Sequence, residues 1–338
     1  MNNTSSSHFT DLTESPGFKQ SGLHRSQGTV DASNRVPTGR RALILGGGGS
    51  TGNAWLIGIV AGLFDAGLDV TTADLTVGTS AGSTAAAQLA GATPAQLFDD
   101  ILATAPQAAT GVNGSASGSA VPRVDRHSGS RVVSDHMERT RTVIEDSTDM
   151  ADMRRRLGNA AMEMAAAMEG CSARWRATVT ARLPRQEWPE RPVLLTAVDA
   201  ATGEPVVFDR HSGVALVDAV AASCASGFAY TISNNHYVDG GYRTNAENAD
   251  LAAGYSRVLV LSPFGGRTRT PAEWGMELSA QVDELRRSGS QVETVFPDST
   301  AEHMFGANAM DLSLRPAAAQ AGFHQGRELV GPLSRFWS

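Results

Sequence analysis

Cysteine is almost missing from this chain: there are two in 338 residues, Cys171 and Cys224. Two cysteines cannot build a disulfide framework. Neither belongs to a Cys-x-x-Cys pair, so no structural zinc site or other metal centre is expected. Both are read as small buried hydrophobes. Long apolar runs are missing as well. The longest, Ala54 to Phe64, is far short of the ~20 residues that span a bilayer. The opening MNNTSSSHFT has no apolar core of the kind that marks a signal peptide. A soluble, cytoplasmic protein with at most peripheral membrane contact is the resulting expectation. An excess of positive charge is also absent. The balance is −7, which argues against a chain that coats nucleic acid.

What is present is globular in composition, with 41% hydrophobic and 19% charged residues. Residues 1–38 are rich in Ser, Thr, Asn and Gly without an apolar period and read as a disordered tail. One folded domain is expected over 39–335. Ala42 to Leu45 is short, apolar and followed by glycines, which suggests a buried parallel strand. Gly52 to Ala66 reads as a helix, Leu75 to Val77 as a second strand, and Ser80 to Ala90 as a second helix. Residues 104–130, mostly Ala, Gly, Ser and Thr, read as a long mobile insertion. Ala151 to Gly170 is helical in pattern, with Met153, Leu157, Ala161, Met164 and Met168 on one face. That stripe reads as core packing, with a pliable wall for an acyl chain as the functional alternative. The adjacent Arg154-Arg155-Arg156 reads as a solvated face. Strands are expected at Val193–Ala197, Arg257–Leu261 and Val292–Phe296, with Gly203–Phe208 extending the first or forming a hairpin. Helices are expected at Val214–Cys224, Pro271–Arg287 and Pro316–Val330. Strands alternating with helices imply a three-layer α/β/α fold with a mostly parallel central sheet.

Three glycine-bearing turns carry the chemistry. The first is Gly46-Gly47-Gly48-Gly49-Ser50-Thr51-Gly52, between the first strand and its helix. Such a loop turns sharply and aims N–H groups outward at a helix N-terminus, which attracts negative charge. It literally matches a dinucleotide fingerprint at Gly47, Gly49 and Gly52, and nearly matches a phosphate-binding loop. Asn53 stands where that loop needs lysine. The second turn, Gly78-Thr79-Ser80-Ala81-Gly82, fits the G-x-S-x-G nucleophile elbow, and its strand and helix context suits that reading. It weakens the dinucleotide reading, which wants an acidic residue near the end of that strand. The third is Asp239-Gly240-Gly241, a carboxylate followed by glycines that permit close backbone approach. Alone it would be an ordinary hairpin turn.

In this order and spacing the three motifs resemble the patatin-like phospholipase family. The likeness spans roughly Arg41 to Val330 and includes Asp218-Ala219-Val220 and Ala222-Ser223, similar to the family's helix before the aspartate. The resemblance implies a lipid acyl hydrolase with Ser80 as nucleophile, Asp239 as its base, and amides of Gly47, Gly48 and Gly49 as the oxyanion hole. It also implies a lipid or small acyl ester as substrate and no cofactor. Two residues depart from the pattern. Thr51 occupies the position of an Arg or Lys, and Ser226-Gly227 replaces a proline after the Ala-Ser helix. Without a cation at Thr51, neutral esters are expected to be cleaved better than anionic phospholipid. A Ser-His-Asp triad would nominate His303 or His324, but neither has a recognisable loop around it; His236 is assigned to the turn before Asp239. The reading from another class is a non-catalytic nucleotide- or anion-binding module that uses the glycine loop alone.

Overall fold

Alternation along the strands decides the architecture. In β1 (Arg41–Leu45), Leu43 and Leu45 join one apolar cluster while Ala42 and Ile44 join another, so the strand is covered on both faces. Burying each such aliphatic side chain contributes roughly 1.5–3 kcal/mol. The computed structural model describes residues 41–103 and 126–338, and for 126–135 the backbone only. The expected tail and residues 104–125 of the expected insertion lie outside the described residues.

After β1 come α1 (Gly49–Asp65), β2 (Leu75–Gly78), α2 (Ala81–Gly91) and α3 (Pro94–Ala103). Three further helices follow, α4 (Arg126–Glu145), α5 (Met150–Ala167) and α6 (Cys171–Thr180). The chain then forms β3 (Val193–Asp199), β4 (Pro205–Phe208), α7 (Leu216–Ser223), β5 (Tyr230–Ile232) and β6 (Asn235–Asp239). It ends with β7 (Arg257–Leu261), α8 (Leu278–Arg287), β8 (Gln291–Val295) and α9 (Arg315–Trp337). The sheet order is β5-β6-β3-β2-β1-β7-β8, with β4 paired to β3. Strands β3, β2, β1, β7 and β8 run parallel, and β4, β5 and β6 add antiparallel pairs. Leu56, Ile59, Ala219 and Ala319 pack on one face, and Tyr255, Leu278 and Val282 on the other. This is the expected three-layer α/β/α fold.

Several local expectations need correction. α1 begins at Gly49, not Gly52, because the motif glycines themselves form its first turn. The end of the expected insertion is helical, since α4 starts at Arg126. Of the two forms expected for Gly203–Phe208 the structure has the hairpin, with β4 antiparallel to β3. The expected Pro271–Arg287 helix is a single 3₁₀ turn followed by the shorter α8. On α5 the apolar stripe holds at Met153, Leu157 and Ala161, but Met168 lies past the helix end and is 40% exposed. It borders an open cavity of about 460 Å³ with Met162, Cys171 and Thr231. Arg154 is not a solvated residue: its guanidinium donates to Gly203 O and Arg243 O. Arg155 and Arg156 do face solvent and pair with Asp152.

Candidate active site

The register of β1 and β2 places Leu45 opposite Gly78, so the loops leaving both strands emerge side by side. Strand β1 is also where the order reverses, with β2 on one side and β7 on the other. Crevices for ligands open at such switch points. The Gly78–Gly82 turn is tight. Ser80 has φ 53° and ψ −114°, a conformation that costs a non-glycine residue about 1–3 kcal/mol. Its surroundings hold it there. Ser80 N–H donates to Ser223 Oγ (2.9 Å), and Ser80 O accepts from Ser83 Oγ (2.7 Å) and Cys224 Sγ (3.0 Å). Gly82 is required because a Cβ would stand 1.8 Å from Leu45 O, and at Gly78 it would stand 2.6 Å from Ser83 Cα.

β3 brings the third motif to the same place. Leu195 pairs with both Gly78 and Phe208, and Ala197 with both Asp239 and Val206. β4 therefore takes one edge of β3, and β2 and β6 share the other. β2 climbs to Gly78 opposite Leu195, while β6 descends to Asp239 opposite Ala197. The two strand ends meet head-on with Thr196 between them. Gly240 fits against that residue only without a side chain, because a Cβ would lie 2.1 Å from Thr196 Oγ1. Ser80 Oγ donates to Asp239 Oδ2 at 2.8 Å, and Gly241 N–H donates to Oδ1 at 2.8 Å. Asp239 is 8% exposed, and burial pushes its carboxyl up to about 6. Burial and the Asp239 charge together raise the Cys224 thiol to about 11 and move the Tyr242 phenol upward.

The glycine loop corrects one expectation. Gly47 N–H already donates to Ala246 O at 2.8 Å, so it has no proton left for an oxyanion. Thr51 N–H is likewise occupied by Ala309 O. Among the described residues, the N–H groups of Gly48, Gly49 and Ala81 meet no acceptor. They lie at the first turns of α1 and α2, where the helix dipoles place partial positive charge. Gly49 has φ +65°, and Gly52 closes the loop by donating to Gly48 O. Beneath the loop Glu247 is fully buried; Ser262 Oγ donates to it, and burial pushes its carboxyl up to about 7.

Thr51 is fully buried against Ala309 and leaves no room for a long cation. A cation arrives from elsewhere. Arg315, the first residue of α9, donates to Ser50 O (2.7 Å), Ser50 Oγ (3.1 Å) and Asn53 Oδ1 (3.2 Å). The premise that this loop lacks positive charge is thereby overturned. Among the described residues, no histidine hydrogen-bonds to Ser80 or Asp239. His236 lies within β6 rather than in a turn and meets Thr231, His303 meets Thr300 O, and His324 is exposed on α9. Sequence reasoning missed Cys224 as a neighbour of Ser80, as well as Ala81, Glu247 and Arg315. The adjacency of Ala81 to the elbow serine was the one usable local signal. Among the described residues, no cluster of His, Cys, Asp or Glu is arranged to hold a metal ion.

A family model described as patatin-like phospholipase matches residues 43–252, more than half of the chain. The chain belongs to the patatin-like phospholipase family, a family of lipid hydrolases. No curated protein matches its sequence. Among solved structures it is similar to VipD from Legionella pneumophila, with a TM-score of 0.36 and 10% identity over 88% of this chain and 67% of that one. It is also similar to full-length ExoU from Pseudomonas aeruginosa, solved with SpcU of the type III secretion system, with a TM-score of 0.29 and 16% identity over 86% of this chain. It spans about half of that ExoU chain, at 53% coverage.

Proposed function

We propose that this protein hydrolyses carboxylic esters of lipids through a serine acyl-enzyme, with Ser80 and Asp239 as a catalytic dyad. The observation that carries the proposal is the 2.8 Å hydrogen bond from Ser80 Oγ to a buried carboxylate at a strained turn. Asp239 Oδ2 takes the proton as Ser80 Oγ attacks the ester carbonyl carbon. The oxyanion that forms accepts hydrogen bonds from Gly48 and Gly49 N–H, with Ala81 N–H as a third donor. Losing one such donor costs about 10²–10³ in turnover. When the tetrahedral intermediate collapses, the C–O bond to the alcohol breaks and Asp239 returns its proton to the leaving oxygen. Water then gives a proton to Asp239 and attacks the acyl carbon. The carbonyl re-forms, the acid leaves, and Ser80 recovers its proton.

With a carboxyl near 6, Asp239 is ionised at neutral pH yet more basic than an ordinary aspartate, which suits a general base. Among the described residues no helix is long and apolar enough to cross a membrane. The test is labelling with a fluorophosphonate, followed by peptide mapping, together with p-nitrophenyl ester hydrolysis by wild type and Ser80→Ala. The expected result is labelling at Ser80 and loss of hydrolysis in the mutant with unchanged folding. A chain that is never labelled and never hydrolyses ester would be an anion-binding module instead.

A further inference from the structure

Beyond the dyad, one buried side chain ties its two halves together. Asn248 is fully buried and sits at φ 54°, ψ 43°, a left-handed conformation that asparagine tolerates better than most residues. Its carboxamide oxygen accepts from Arg243 Nη1 (3.1 Å) and Thr244 Oγ1 (2.7 Å). These donors fix which way round the amide lies. Its Nδ2 therefore points the opposite way. There it donates to Gly240 O (3.0 Å), Thr79 Oγ1 (3.0 Å) and Asn245 O (3.1 Å), with Thr196 Oγ1 a longer 3.4 Å away. Thr79 precedes Ser80, and Gly240 follows Asp239. One NH₂ group thus grips the residues adjoining both reacting groups. Thr79 Oγ1 is in turn 2.9 Å from Thr196 Oγ1, the residue that separates the ends of β2 and β6.

We infer that Asn248 is a positioning residue that sets the distance between Ser80 Oγ and the Asp239 carboxylate. The inference rests on the dyad reading above. The two strand ends share no ladder hydrogen bond with each other, because both pair with β3. Their relative placement across the gap depends on side-chain hydrogen bonds such as this one. An error of about 1 Å in such a placement costs on the order of 10²-fold in rate. Asn248→Asp is the sharpest probe. It keeps the shape and the acceptor facing Arg243 and Thr244. It replaces the NH₂ by an oxygen facing Gly240 O and Asn245 O, which turns attraction into repulsion.

The experiment is p-nitrophenyl butyrate hydrolysis by the full chain, with active sites titrated by fluorophosphonate so that turnover is counted per competent Ser80. For Asn248→Asp the expected result is kcat per site lower by about 10²-fold with KM within about twofold, and fluorophosphonate labelling slowed in parallel. A merely structural role would lower the melting temperature or the number of titratable sites and leave kcat per site at the wild-type value, and that outcome overturns the inference. Should Asn248→Asp fail to fold, Thr79→Val and Thr79→Ser carry the test. Valine removes the oxygen that accepts from Asn248, serine retains it, and the serine variant should turn over at least about fivefold faster per site. Equal turnover in the two overturns the inference. Ser80→Ala is measured alongside. If it stays active the dyad reading and this inference fall together; if it is dead and Asn248→Asp has wild-type kcat per site, this inference alone fails.

Discussion

Replacing Asp239 by asparagine should abolish hydrolysis and make the protein more stable above pH 6. Burial lifts the Asp239 carboxyl from its ordinary 3.8 to about 6, so the folded state holds that proton more tightly than the unfolded chain does. For a carboxyl shifted upward, stability is fully present below about pH 4 and falls as pH rises through 4 to 6. The displacement corresponds to about 3 kcal/mol at pH 8, charged against the fold for keeping a buried carboxylate. Asparagine carries no charge at any pH. Its Oδ1 can still accept from Gly241 N–H, and its NH₂ can donate to Ser80 Oγ, so no buried group loses a partner. Asp239→Asn should gain up to about 3 kcal/mol at pH 8, or about 5 °C in melting temperature, and almost nothing at pH 4. Ester turnover should drop by at least about 10³-fold, since the base is lost. The assay is a series of thermal melts of both proteins between pH 4 and 8, with p-nitrophenyl ester hydrolysis at pH 8. A mutant less stable than wild type at pH 8, or a gain that does not shrink on acidification, would refute the reasoning.

Wild-type kcat/KM should rise with pH through about 6 and then level, because the ionised Asp239 is the base; a profile flat from pH 5 to 8 would point to another base. Gly47→Ala should fold normally, since its methyl meets Ala246 O and Ser80 Cβ at an ordinary 3.6 Å, yet it crowds the nucleophile and should lower kcat/KM by about tenfold in steady-state assays. Gly240→Ala should lose more than the roughly 1–3 kcal/mol of ordinary overpacking, because its Cβ would stand 2.1 Å from Thr196 Oγ1, and urea titration measures that. Arg315→Gln should lower kcat/KM on anionic phospholipid vesicles relative to a neutral ester by roughly three- to tenfold, with the gap closing at high salt; an unchanged ratio would mean that the guanidinium is no part of the substrate site.

Much of the fold was legible because its strands are short apolar blocks punctuated by glycine. Arg41 to Leu45, followed by four glycines, could hardly be anything but a buried strand and a turn. The boundaries that slipped did so for identifiable reasons. Glycine is a poor helix former, by about 1 kcal/mol relative to alanine, so the apolar period of α1 shows only after its real start. Tertiary contact holds the first turn instead, through Thr51 N–H and Ala309 O. Proline ordinarily closes a helix, and the expected end at Val330 lies two residues before Pro332. α9 nevertheless continues past Pro332, because Leu333 and Trp337 are 5% and 2% exposed and hold its last turns on the core. α4 is polar on average, and its apolar residues Val133, Met137 and Ile144, though at helical spacing, are too sparse to stand out.

The candidate site divides along the same line. Ser80 and Asp239 were legible because the glycines beside them are steric requirements, written into the sequence at fixed offsets. Which amides remain free was not, since Gly47 is occupied by Ala246, far along the chain. The charge beside the loop was misread for a related reason. A missing cation at Thr51 suggested a neutral loop, as though only that position could supply the charge. The space beside a loop belongs to whichever segment passes through it. Here the Ala309–Arg315 segment does: Ala309 O accepts from Thr51 N–H at 3.0 Å, and a Cβ on Gly49 would stand 2.7 Å from that oxygen. A long side chain at position 51 would push this segment away. A small residue at 51 therefore goes with the close approach that brings the Arg315 guanidinium onto Ser50 and Asn53. The loss of one cation and the arrival of another are two aspects of one packing arrangement, and substrate charge preference should follow Arg315 rather than Thr51.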